Sequence, residues 1–122
     1  MSRIVHFEFG ADDPQRAMEF YQNTFGWKFD KWQGDQDYWL ITTGAKQTPG
    51  IDGGMSRKMA EFPGTTNTVG VASVDDCSDK ILKSGGTRVT PKHTIPGVGW
   101  IAYFKDTEGN IFGIYQRDES AR

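Results

Sequence analysis

Two residues near the start of the chain have the types and spacing for proton chemistry. In IVHFEFG, residues 4–10, His6 and Glu8 stand two apart among Ile4, Val5, Phe7 and Phe9. Successive side chains of a strand point to opposite faces, so Val5, Phe7 and Phe9 share one face and His6 and Glu8 the other. An unpartnered carboxylate is costly to bury. The second face is therefore solvated, or lines a cleft, or the two groups satisfy each other. A nearby carboxylate raises the basicity of a histidine, which titrates near neutrality. The pair suits general acid–base work, with His6 as the base and Glu8 orienting it. The bland alternative is a structural histidine beside a glutamate in water.

Other reactive types are scarce. The histidines number two, His6 and His93, and the cysteines one, Cys77. That removes the zinc patterns built on several thiolates, so any metal would rest on carboxylates beside His6. His93 falls in TPKHTIPGVG, residues 90–99, a Pro/Gly stretch without periodicity that reads as a loop or lid. Cys77 lies four residues before Ile81 on a helical stripe and reads as a buried structural thiol. GIDGG, residues 50–54, lacks the lysine and hydroxyl residue of a phosphate loop.

The elements that must position these groups follow from periodicity. Residues 3–10 read as a strand. Asp12 or Asp13 caps a helix over 14–25, with Pro14 at its first position, an apolar stripe Met18, Tyr21, Phe25, and Gly26 as the stop. Shorter β-like runs follow at 27–32, 38–43 and, weakened by glycine, 50–56. Residues 57–65 read as a connector. The pattern then restarts: a strand over 68–74, a helix capped by Asp75, a stop at Gly85-Gly86, and strands at 87–89, 100–105 and 110–116. The order β-α-β-β-β thus occurs twice, and an internal repeat constrains the fold more than any single element. Each helix covers one face of a small sheet, and the remaining faces are expected to meet across a cleft.

With 122 residues the chain is expected to form one domain, 1–122, with module one at about 3–57 and module two at about 66–117. The net charge of −2 offers no footprint for nucleic acid. No apolar run is long enough to span a membrane. MSRIVHFEFG lacks a signal-peptide pattern, and a lone cysteine suits a reducing compartment, so a soluble cytoplasmic protein is expected.

HFEFGADDPQRAMEFYQNTFGW at the start, SVDDCSDKILKSGG in the middle and KDTEGNIFGIYQ at the end together resemble the vicinal oxygen chelate superfamily, which includes glyoxalase I, bleomycin-resistance proteins and extradiol dioxygenases. The resemblance covers about residues 3–117. It implies an α+β fold of two βαβββ modules whose curved sheets surround a cleft, and a homodimer. It also implies that His6, followed about fourteen residues later by Phe20-Tyr21, occupies a first metal-ligand position. The other ligand positions of metal-dependent relatives fall on Val69 and Gly113, and on the strand near Asp52. One firm ligand does not hold a divalent ion, which needs three or more donors. No cofactor is therefore expected, while a divalent metal stays open. Val69 and Gly113 are expected to leave room for an apolar part of a ligand, and Tyr115, Trp39 and Trp100 to line the same cleft.

Three functions remain open on this reading. The first is a metal-independent binder or enzyme for a small, partly apolar molecule, using His6 and Glu8. The second is a metal-dependent lyase or isomerase of the glyoxalase I type using His6. The third is a drug-sequestering protein without catalysis.

Overall fold

The computed structural model describes residues 2–122. Two compact units emerge, one spanning His6–Thr66 and the other Asn67–Arg122 with residues 2–5.

The first unit contains most of β1 (Arg3–Ala11), then α1 (Pro14–Phe25), β2 (Lys28–Lys31), β3 (Tyr38–Thr42) and β4 (Gly53–Arg57). β1 runs parallel to β4, β4 antiparallel to β3, and β3 antiparallel to β2. Local chemistry sets the helix ends. The Asp13 carboxylate accepts the Arg16 amide at 3.1 Å, Pro14 opens the first turn, and Gly26 closes the helix at φ +73° with its amide on the Gln22 carbonyl. One face of the sheet packs under α1. There Ala11, Trp39, Ile41 and Met55 are buried, with Phe7, Phe9, Ala17 and Met18 against them. The Tyr21 ring stacks on Trp27 at 5.1 Å and 3°.

The second unit repeats the plan with one added short strand, β7: β5 (Thr66–Gly70), α2 (Val74–Lys83), β6 (Thr87–Arg88), β7 (His93–Ile95), β8 (Gly99–Lys105) and β9 (Ile111–Arg117). β5 runs parallel to β9, and β9 antiparallel to β8, which also pairs β6 and β7. Val74, Ala102, Phe104 and Ile114 are buried beneath α2, joined by Val69, Cys77, Ile81, Trp100 and Phe112.

Three sequence expectations are corrected. The strand expected at 68–74 is β5 at 66–70, and α2 already begins at Val74. Its cap is Ser73 rather than Asp75: the Ser73 hydroxyl accepts the Asp76 amide at 3.1 Å. Val74 is fully buried, and its amide donates to the Gln116 side chain, so packing places the helix start at this apolar residue. The stretch 90–99 is not wholly a loop, because His93–Ile95 pairs with β8 as β7. A three-residue strand is too short to show alternation, and its partner supplies the order.

Candidate functional site

The proton-chemistry pair is joined by a third residue from β3. His6 Nε2 lies 3.0 Å from the Tyr38 hydroxyl, and that hydroxyl donates to Glu8 Oε2 at 2.8 Å. All three side chains are half-buried. A phenol has one proton, and here it goes to the carboxylate. Its oxygen therefore accepts from the Nε2–H of His6, which leaves Nδ1 as the basic nitrogen of the neutral ring.

Register explains the meeting. Glu8 lies opposite Gly54 across the β1–β4 pair, and Leu40 lies opposite Gly54 across the β3–β4 pair. Alternation places Tyr38 and Leu40 on the face of His6 and Glu8, while Trp39 and Ile41 go under α1. The Tyr38 ring reaches across β4 over Gly54. The Trp32 ring stands edge-on to Tyr38 at 6.3 Å, and Leu40 is exposed beside it, so apolar surface flanks the polar triad.

Burial lowers the pKa of His6, and the negative charges of Glu8 and Asp52 oppose the shift without cancelling it. The shift favours the neutral imidazole, the form that a general base requires. The unfolded chain binds a proton at His6 more readily than the folded chain. The contribution is complete above the unfolded value of about 6.5 and is lost as pH falls from there through the lower folded value. Urea midpoints should therefore drop between about pH 7.5 and pH 5 in the natural protein, with a shallower slope in His6→Gln. Asp37 is held low by Arg57 and Lys31, Asp106 by Asn110, and Asp118 by Ser120 and Trp100, so these groups titrate below that window. Equal slopes in the two proteins would show that His6 is not the group responsible.

These side chains do not match a metal site. Among the described residues, no group of three or more His, Cys, Asp or Glu side chains could hold an ion. His6 Nε2 and Glu8 Oε2 both engage Tyr38, and Asp52 Oδ1 accepts from the Thr43 amide at 2.9 Å and, at 3.3 Å, from its hydroxyl.

The structure divides the residues expected to line a ligand cleft. Trp39 is buried in the first apolar cluster, on the face opposite the triad. In the second unit, Val69 lies opposite Ile114, and both pack toward α2, as does Trp100, whose indole N–H donates to Asp118 at 3.1 Å. Gly113 is on the other face, opposite Thr68 and Tyr103 in its two strand pairs. Tyr115 shares that face by parity, and its hydroxyl donates to the Val98 carbonyl at 3.1 Å. His93 is exposed on β7 with Nδ1 3.3 Å from the Pro91 carbonyl. Burial pushes the Cys77 thiol up, which suits a packed rather than reactive cysteine.

Two adjoining open grooves of about 450 and 520 Å³ share Phe9, Gly10, Tyr21 and Lys58 and include none of the triad. The Lys58 ammonium there pairs with Asp12 at 3.3 Å, so that charge is already matched.

Tyr38 is the member of this candidate site that the sequence did not single out. Alternation within residues 38–43 could have placed it opposite Trp39, but not beside β1.

The paired βαβββ plan defines an α+β protein of the glyoxalase type. Residues 3–114 match the Glyoxalase/Bleomycin resistance protein/Dioxygenase superfamily, and the chain belongs to that family. A glyoxylase-like domain-containing protein of Didymella fabae is 32% identical over 124 residues, covering 94% of each chain. Among solved structures, a methylmalonyl-CoA epimerase in complex with methylmalonyl-CoA and NH4+ shares the fold at TM-score 0.72 and 14% identity, covering 99% of this chain and 98% of that one. The epimerase of Mycobacterium tuberculosis matches at TM-score 0.71 and 13% identity, covering 94% and 87% respectively.

Proposed function

We propose that this protein is a metal-independent enzyme that moves a proton on a small, partly apolar carbonyl compound, with His6 as the base. The observation that carries the reading is the Tyr38 hydroxyl bridging His6 Nε2 and Glu8. In the proposed step, Nδ1 of the neutral imidazole takes a proton from a carbon beside the carbonyl and later returns it. The imidazolium formed meanwhile is stabilised by the Glu8 charge, and the Tyr38 bridge fixes the ring. Leu40 and Trp32 offer apolar contact to the rest of the ligand. The reading is also supported by the presence of epimerases among proteins of the same fold. Epimerising a carbon beside a carbonyl requires removal and return of a proton.

The test is hydrogen exchange. A panel of carbonyl compounds, including methylmalonyl-CoA, is incubated with the protein in D2O and followed by mass spectrometry. At least one compound should gain one deuteron beside its carbonyl, at a rate indifferent to a chelator and lost in His6→Gln. Exchange abolished by the chelator would replace this reading with a metal-dependent lyase or isomerase. Stoichiometric binding without exchange would make the protein a sequestering one.

A further inference from the structure

We propose that Gly54 is a positioning residue for the triad: the missing side chain is what lets the Tyr38 phenol cross β4 and join His6 to Glu8. The inference rests on the triad being the working site, but it is read without any ligand.

Glycine weakens a strand interior, so two in succession in β4 need a reason. Backbone conformation does not supply one, because neither Gly53 nor Gly54 has a positive φ. Space does. A Cβ on Gly54 would collide with the Oη and Cζ of Tyr38, and one on Gly53 would collide with the Phe7 ring. The two glycines face opposite sides of the sheet. Gly53 admits Phe7 to the apolar face under α1, and Gly54 admits Tyr38 to the polar face. At position 54 the obstacle is the tip of a side chain rather than backbone. An added methyl can therefore be accommodated by swinging Tyr38 away, with the strand left in place. Loss of the bridge and entry of water would follow, around a histidine whose charged neighbours are Glu8 on β1 and Asp52 before β4.

The experiment is an NMR titration of the His6 ring in four proteins: natural, Gly54→Ala, Tyr38→Ala, and the double variant. Gly54→Ala should raise the midpoint toward the ordinary histidine value of about 6.5, because water then reaches the ring. Tyr38→Ala should do the same. Adding Gly54→Ala to Tyr38→Ala should shift it no further, since the methyl then has nothing to displace. An unchanged midpoint in Gly54→Ala, or an equal shift with and without the Tyr38 ring, would overturn the proposal. If Gly54→Ala alone fails to fold, recovery of folding in the double variant supports the same contact, and failure there too overturns it. These readings hold whether or not the deuterium exchange succeeds, so the two proposals fail separately.

Discussion

Replacing Tyr38 with phenylalanine is expected to slow proton exchange by about 100- to 10,000-fold, the range that positioned acid–base groups contribute. The substitution keeps the ring that lies over Gly54 and removes only the oxygen 3.0 Å from His6 and 2.8 Å from Glu8. Nothing then holds the imidazole in the tautomer that leaves Nδ1 basic, and the carboxylate loses the proton that ties it to the ring. Misplaced groups lose catalytic effectiveness steeply. The measurement is the D2O exchange rate of Tyr38→Phe beside that of His6→Gln, with circular dichroism to verify folding. The two variants should lie within about tenfold of each other, because residues acting as one unit lose function together. A natural rate in Tyr38→Phe, with His6→Gln inactive, would remove the bridge from the mechanism and leave His6 acting alone.

The largest effect on stability is expected in the second unit. Phe104→Ala should lower the unfolding free energy by about 3–5 kcal/mol, the usual cost of emptying a buried aromatic site. Phe104 is 0% exposed among Val74, Ala102 and Ile114. Its ring lies 6.3 Å from that of Phe112, and the Arg88 guanidinium stands 4.8 Å from its centroid. These neighbours belong to β9 and β6, whose backbones are fixed by pairing with β8, so the cavity cannot readily collapse. Domains of this size are stable by only about 5–15 kcal/mol, so the loss is roughly a fifth or more of the total. Urea unfolding at pH 7.5 measures it, with Leu82→Ala, 46% exposed on α2, as the control expected within about 0.5 kcal/mol of the natural protein. A loss under about 1 kcal/mol would mean that the packing around Phe104 relaxes freely.

The repeated β-α-β-β-β order was legible because its signals are local. Asp12 or Asp13, Pro14 and Gly26 delimit α1 in the sequence, and Asp13, Pro14 and Gly26 delimit it in the structure. The alternation of residues 4–10 assigned Phe7 and Phe9 to the apolar face, where they pack under α1. Local signals failed where packing decided. Val74 reads as the end of a strand by β-propensity, yet it starts a helix because its side chain is fully buried and Ser73 can cap. Gly53 and Gly54 of GIDGG read as a weakness of the strand, and only the rings laid over them show their use.

For the candidate site the division is sharper. By itself the sequence determined that His6 and Glu8 share a face, since a period of two is a property of one strand. It also determined the family, through motifs spread along most of the chain. Only the tertiary structure decided what joins the pair. Tyr38 is 32 residues from His6 and 30 from Glu8, and it meets them because β3 pairs with β4 and β4 with β1. It likewise separated Val69 from Gly113, which pairing through Thr68 and Ile114 puts on opposite faces. Register is a relation between strands, and a one-residue slip reverses every face. No periodicity within a single stretch of sequence contains that information.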